Sequence, residues 1–285
     1  MRKWIRKVFL DPLEFLPLLF VYGFFRALPL SFSSSLAGHI ARIFGPFLPA
    51  HKIGQTNLQK AFPKKSISER EDILEKAWEN LGRVVGEFPH LKKISKSRVE
   101  VIDLCDWEKT QKKDVPVMFF SAHMANWEVP HMLLTNKNIE ISLLSRPPNN
   151  WITRWFFGKV RTNSLVSIIL KGPEGSKDFL KTLMEKRNLG ILLDQRLSEG
   201  EKIPFFGRPA YTPVGPARFA EKFNAALIPV QIERMEGVRF KVTYHKPLKT
   251  HKDFLKTSLE INQTFEQWIT KNPDQWLWFH NRWKL

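Results

Sequence analysis

Short apolar runs alternate with amphipathic stretches over most of the chain, and this alternation predicts the fold. Six runs rich in β-branched or aromatic residues have the length of strands, at residues 115–122, 141–145, 166–170, 189–194, 226–233 and 239–245. Helix-like segments separate several of them, near residues 126–135, 151–161, 175–187 and 214–224. Such alternation predicts an α/β domain with a largely parallel central sheet flanked by helices.

Two further helices are predicted outside this alternation. Residues 67–88 carry apolar side chains at helical spacing, and Ser68 is the predicted N-cap, followed by acidic residues in the first turn. The other helix is predicted at residues 252–270.

The N-terminus joins a basic cluster within residues 2–7 to an apolar stretch at residues 12–30, which contains Pro17. The length of the stretch is marginal for crossing a bilayer. We interpret residues 1–35 as an uncleaved hydrophobic anchor helix that either spans the membrane once or lies in its interface. A buried helix is the alternative. Residues 36–285 are then one catalytic domain.

The charge balance narrows the class of partner. Lys and Arg number 45 against 28 Asp and Glu, which gives a net charge of +17. A surface of this kind favours nucleic acid, anionic lipid head groups or an acidic carrier protein. A single cysteine excludes an intrachain disulfide, and the sequence contains no zinc-type Cys/His spacing.

The first candidate for chemistry is His123, which follows the apolar run at residues 115–122. In open α/β sheets, ligands gather at the carboxyl ends of strands. Glu128 lies five residues later, about 140° away on an ideal helix, so only a strand-to-helix turn would bring the two side chains together. A carboxylate beside the imidazole suits a general base. A loop histidine near an unrelated carboxylate remains the alternative.

Two more stretches combine cations with aromatic residues. Arg196 and Arg208 flank a Phe-Phe pair within residues 192–220. Residues 145–163 interleave four basic residues with two Trp and two Phe. Interleaving of this kind is typical of single-strand nucleic-acid grooves and of lipid-facing helices, and a solvated basic face is the third reading.

Four blocks, in the same order along the chain, resemble the lipid A biosynthesis acyltransferases of the glycerolipid/lysophospholipid acyltransferase superfamily. They are HMANWE at 123–128, RPPNN at 146–150, DQR…PFFGRPAYTPVGPARFA at 194–220 and NPDQWLWFHNRWK at 272–284. The similarity extends over residues 12–284. This chain departs from the pattern at Met124 and Ala125, where many relatives have Phe-Gly, and at Arg196, where many have Asn.

The resemblance implies transfer of a fatty acyl chain from a thioester on acyl carrier protein to a hydroxyl of a lipid A precursor. It requires no metal and no other cofactor. It implies that His123 is the general base and that Glu128 holds and polarises the imidazole. Arg161, followed by Arg146, is the candidate to bind the oxyanion.

The resemblance also implies that Asp194 and Gln195 shape the site, and that Arg208 and Thr212 contact the phosphate or sugar head group. It places the enzyme on the anionic membrane surface, at the cytoplasmic face of the inner membrane of a Gram-negative-type bacterium. No nucleic-acid partner is then expected. The alternatives are acylation of a lysophospholipid or another glycolipid, with acyl-CoA as a further donor, and a membrane-tethered nucleic-acid-binding protein.

Overall fold

The computed structural model describes residues 10–106, 109–110, 114–146, 148–161, 165–170 and 172–284. Its helices are α1 Asp11–Ala27, α2 Leu30–Phe44, α3 Pro49–Ala61, α4 Ile67–Glu87, α5 Leu91–Ser97, α6 Val129–Asn136, α7 Trp151–Arg161, α8 Pro173–Met184, α9 Gly215–Lys222 and α10 Phe254–Lys271. Its strands are β1 Val99–Asp103, β2 Val117–Ser121, β3 Ile141–Ser145, β4 Val166–Leu170, β5 Asn188–Leu192, β6 Glu201–Phe205, β7 Arg208–Thr212, β8 Ala226–Arg234 and β9 Phe240–Tyr244.

Seven strands form the central sheet, in the order β1-β9-β8-β2-β5-β3-β4. Neighbouring strands are parallel except β8 and β9, which pair antiparallel. The predicted α/β fold with a mostly parallel sheet flanked by helices is therefore confirmed. All five residues of β2 are buried, as expected for a central strand covered on both faces.

Two apolar clusters cover the two faces of the sheet. Met118 and Phe120 of β2 belong to a cluster shared with α4, α10 and the C-terminal tryptophans. Val117 and Phe119 belong to a second cluster, shared with α5, α6, β8 and β9. Successive strand residues point to opposite faces, so β2 supplies both cores at once.

The N-terminal helices pack closely onto this domain. A Cβ atom at Gly82 would lie 2.2 Å from the carbonyl oxygen of Ala37, so only glycine lets α4 approach α2 this closely. The N-cap of helix α4 lies two residues earlier than the predicted Ser68. Ser66 is its N-cap, because Ser66 and Glu69 exchange hydrogen bonds in a reciprocal capping box.

The predicted N-terminal anchor helix is not supported. The chain turns at Leu28 and Pro29 and divides the apolar stretch between α1 and α2. Helix α1 has 17 residues, about 26 Å of helix against a hydrocarbon core of about 30 Å. Among the described residues, no helix is long and apolar enough to cross a membrane. The basic cluster within residues 2–7 lies outside the described residues.

The stretch within residues 192–220 that carries the Phe-Phe pair contains a hairpin, which none of the six predicted strands covers. β6 and β7 pair antiparallel, with Pro204 opposite Pro209. Phe206 and Gly207 both have positive φ, as a two-residue type I′ turn requires. Residue propensities do not predict these two strands, because each contains a proline and proline is depleted in strands. The short strand β1 was also missed.

Candidate active site

His123 and Asp194 meet at the carboxyl edge of the sheet. β2 and β5 are parallel neighbours, and Ser121 lies beside Leu192 at their ends. His123 and Asp194 are each two residues beyond those ends. Nδ1 of His123 lies 2.8 Å from Oδ1 of Asp194, and the backbone N–H of His123 donates to Oδ2 at 3.0 Å.

The carboxylate of Asp194 is fully buried and surrounded by donors. The indole N–H of Trp276 donates to Oδ2 at 2.7 Å, which adds to the two bonds from His123. Burial on its own raises the pKa of the carboxyl, but the imidazole and backbone N–H of His123 and the nearby His280 together outweigh burial and lower the pKa below the usual aspartate range. Asp194 is therefore ionised at neutral pH.

This carboxylate fixes the orientation of the imidazole. Nδ1 of His123 donates to Asp194, so in the neutral ring Nε2 is the acceptor. Nε2 lies 3.5 Å from the side-chain amide nitrogen of Gln195, and the Trp127 ring packs edge-on, with centroids 5.3 Å apart. His123 and Gln195 both line one cavity.

In the described structure no hydrogen bond or ion pair joins Glu128 to His123, so the predicted pairing is not observed. Its carboxylate accepts from Nε of Arg161 at 2.9 Å and from one terminal nitrogen of the same guanidinium. A turn at Trp127 and Glu128 precedes α6, and it directs Glu128 toward the end of α7, where Arg161 lies. The carboxylate that orients the imidazole is that of Asp194, which the sequence analysis named only as a residue shaping the site.

The segment from His123 to Glu128 is held from several sides. Ala125 has a φ of 47°, and its N–H donates to the carbonyl of Gln275 at 2.8 Å. The side-chain amide of Asn126 donates to the buried Glu87 carboxylate at 2.8 Å. Glu87 also receives two bonds from Arg234 of β8. This buried network, absent from the sequence-based site, fixes the backbone on which the histidine lies.

The cavity has a volume of about 910 Å³ and extends from the polar edge of the sheet onto its face beneath α6. His123, Arg146 and Gln195 line its mouth, while Phe119 and Leu143 line its interior. Gly190 gives the interior its room, because a Cβ atom there would lie 2.7 Å from a methyl of Leu143. A polar mouth with an apolar interior suits an amphiphilic ligand.

The remaining predicted residues divide into two groups. Arg146, Arg161 and Gln195 line the cavity together with His123 and Glu128, and Asp194 lies directly behind His123. Arg208 and Thr212 do not line it. Nε of Arg208 donates to the carbonyl of Lys60, and the Thr212 hydroxyl is buried among Ala210, Asn262 and Arg282. Their contact with a head group stays a prediction that their positions do not favour.

Two buried histidines accompany the two carboxylates. His131 neighbours Glu128 and Arg161, and His280 neighbours Asp194. In each imidazole Nε2 is buried without a partner in the described structure. Burial lowers the pKa of each to about 4, so both are neutral at pH 7. Within the described ranges, no group of three or more His, Cys, Asp or Glu side chains could hold a metal ion.

Comparison with known proteins identifies the family of this chain. A sequence model described as bacterial lipid A biosynthesis acyltransferase matches residues 9–285. A lipid A biosynthesis acyltransferase of Haemophilus influenzae is 22% identical over 232 residues, which cover 79% of this chain and 72% of that protein. A lipid A biosynthesis palmitoleoyltransferase of Escherichia coli is 25% identical over 266 residues, which cover 90% and 85%. The chain belongs to the bacterial lipid A biosynthesis acyltransferase family.

Proposed function

We propose that this acyltransferase moves a fatty acyl chain from a thioester on acyl carrier protein to a hydroxyl of a lipid A precursor. The observation that carries the proposal is the His123–Asp194 pair at the mouth of an amphiphilic cavity. The apolar interior fits the acyl chain. The net charge of +17 complements an acidic carrier protein and a phosphorylated acceptor.

His123 acts as the general base in the proposed reaction. Nε2 takes the proton of the acceptor hydroxyl as the hydroxyl oxygen bonds to the thioester carbonyl carbon. Collapse of the tetrahedral intermediate breaks the C–S bond, and the imidazolium returns its proton to the departing thiolate. Asp194 holds the reactive tautomer and stabilises the imidazolium, as the aspartate does in a Ser-His-Asp triad. No covalent acyl-enzyme is needed, because the acceptor is the nucleophile.

Arg161 is the proposed oxyanion donor, and Glu128 its positioning partner. Glu128 engages Nε and one terminal nitrogen of the guanidinium, so the other terminal nitrogen is left for a ligand. A guanidinium fixed in advance stabilises developing charge without reorganising in the reaction. Arg146 is the second candidate, since it also lines the cavity.

We also propose that α1 and α2 lie in the membrane interface. Large apolar side chains of these helices and of the next turn are exposed, among them Leu13, Leu16, Phe20, Phe24, Phe32, Ile43, Phe44 and Phe47. Trp151 and Trp155 of α7 are exposed as well, and α7 packs against α1 through Phe156 and Phe15. Interfacial helices combine such apolar and Trp side chains with basic charge. The proposed location is the cytoplasmic face of the inner membrane.

Acyl transfer by the detergent-solubilised full chain tests the proposal. Acyl carrier protein thioester and acyl-CoA serve as donors, and a Kdo-bearing lipid A precursor and a lysophospholipid as acceptors. We expect transfer from the carrier protein to the lipid A precursor. Transfer only to the lysophospholipid would overturn the proposed acceptor. Transfer only from acyl-CoA would overturn the proposed donor. Vesicle flotation tests the membrane proposal. The wild-type protein should float with anionic vesicles, and the variant with Phe20 and Phe24 replaced by Ser should remain in the unbound fraction.

A further inference from the structure

Arg196 lines the cavity mouth in a fixed orientation. It lies next to Gln195, four residues beyond the end of β5. Its Nε donates to the carbonyl of Lys284 at 2.7 Å, and one terminal nitrogen donates to the Ser198 hydroxyl at 3.0 Å. The guanidinium lies 5.5 Å from the centroid of the Tyr211 ring. Among the described residues, the other terminal nitrogen has no hydrogen-bond partner and is available to a ligand.

Arg146 lies on the other side of β5 from the catalytic histidine. It directly follows β3, and β5 separates β3 from β2 in the sheet. Its side chain is exposed and lines the same cavity. In the part of the chain that the structure describes, its guanidinium makes no hydrogen bond or ion pair. The carboxyl ends of three adjacent strands thus supply His123, Arg196 and Arg146.

The charges around the cavity favour an anion at this mouth. Arg161 forms an ion pair with Glu128, so their charges cancel. The other fully charged side chains of the cavity lining are two arginines, Arg146 and Arg196, and one carboxylate, Glu199. An arginine with a free edge binds the oxygens of a phosphate through charge-assisted hydrogen bonds.

We propose that Arg196, with Arg146, binds a phosphate group of a substrate while the reacting carbonyl lies at His123. This inference rests on the proposed acyl transfer, in which two substrates carry phosphate. One source is a sugar phosphate of the acceptor, and the other is the phosphodiester of the pantetheine arm of the donor. The chemistry of recognition is the same for both. The site differs from the predicted contact at Arg208, which lies outside the cavity lining.

Kinetics with phosphate-bearing and phosphate-free substrates test the inference. The substrates are the acceptor before and after phosphatase treatment, and acyl carrier protein thioester beside an acyl N-acetylcysteamine thioester. Losing a charge-assisted bond in Arg196→Asn should raise KM for one phosphate-bearing substrate about ten- to a hundredfold. KM for its phosphate-free counterpart and kcat should change less than about threefold. The substrate whose KM rises identifies the source.

Two further variants locate the effect. Arg218 is also exposed and stacks on an aromatic ring, Phe254, but lies outside the cavity lining. Arg218→Asn therefore carries the same loss of charge and should leave both KM values unchanged. Arg208→Asn tests the rival position. Equal KM increases in the Arg196 and Arg218 variants would mean that the effect comes from the net charge of the protein and not from a site at Arg196. The absence of a KM increase in the Arg196 variant would also overturn the site.

Binding of inorganic pyrophosphate, measured by calorimetry, separates this inference from the proposed function. We expect wild type and Arg218→Asn to bind it equally and Arg196→Asn at least tenfold more weakly. This comparison stands even if wild type transfers no acyl group, an outcome that would overturn the proposed function alone. Equal binding by all three proteins would overturn the phosphate site whatever the transfer assay shows.

Discussion

Asp194 and Glu128 are the two carboxylates of the site, and their surroundings differ. Asp194 is fully buried and receives hydrogen bonds from the imidazole, from a backbone N–H and from an indole. Glu128 forms a two-bond ion pair with Arg161. The residue 71 positions away in sequence orients the histidine, and the residue five positions away orients an arginine. In a parallel sheet, neighbours in register at the strand ends matter more than neighbours along the chain.

Loss of the general base in His123→Ala is one of the two largest expected effects. Removing a general base costs about 10²–10⁴-fold in rate. The other histidine of the cavity lining, His131, is buried, and burial lowers its pKa to about 4, which makes it a weak substitute base. Single-turnover acyl transfer measures the loss, and circular dichroism checks the fold. His251→Ala is the matched control, since His251 pairs with Glu260 away from the cavity. Transfer near the wild-type rate in His123→Ala would place the base elsewhere.

Glu128→Gln should reduce the rate constant of transfer about 10²-fold, because a misplaced oxyanion donor costs roughly this much. A double-mutant cycle with Arg161→Gln reveals the route of the effect. If Glu128 acts through Arg161, the double variant is about as slow as the slower single variant. If the double variant instead loses the product of the two single-variant rate losses, Glu128 acts on the reaction independently of Arg161.

Acid should weaken the fold before it neutralises Asp194. His131 and His280 have pKa values of about 4 in the folded protein and about 6.5 when unfolded, so the unfolded chain binds more protons between these values. The free energy of unfolding therefore falls as the pH drops from about 6.5 to about 4, by up to about 3 kcal/mol per histidine.

The lowered pKa of Asp194 stabilises the fold above the unfolded aspartate pKa of about 3.9, and this contribution is lost only below that value. The free energy of unfolding, measured with urea across the pH range, separates the histidine effect above about pH 4 from the Asp194 effect below about pH 3.9. Replacing His131 by Phe should remove part of the upper slope. An unchanged slope would mean that this imidazole has the same pKa in the folded and the unfolded protein.

Asn126→Ala should have the smallest effect on the rate. It removes the bond to Glu87 and the bond from the Glu128 backbone N–H, which costs about 1–3 kcal/mol of stability when a buried partner is left unpaired. Urea unfolding measures the change, and Asn136→Ala, whose amide bonds to Ser95 at the C-terminal end of α6, is the comparison. A loss of transfer as large as that of Glu128→Gln would make the network part of the oxyanion site.

Six of the seven strands of the central sheet could be predicted from their apolar runs, whereas β1, whose residues are exposed or half-buried, could not. The hairpin of β6 and β7 could not, since Pro204 and Pro209 face each other in it and an aromatic cluster, not propensity, holds it. His123 was predicted because it ends a buried run. The role of Asp194 could not be predicted from spacing, because it depends on which strand lies beside β2. Trp276 reaches the site only because residues 272–284 return to the end of β2, where Leu277 bonds to His123.

Acyl transfer by Asp194→Asn and Glu128→Gln, measured side by side under single-turnover conditions, tests the central claim most directly. If Asp194 orients the base, Asp194→Asn should lose about 10³–10⁴-fold, since the amide favours the wrong imidazole tautomer. That loss should exceed the loss in Glu128→Gln at least tenfold. A larger loss in Glu128→Gln, with Asp194→Asn near the wild-type rate, would contradict the assignment and restore Glu128 as the partner of His123.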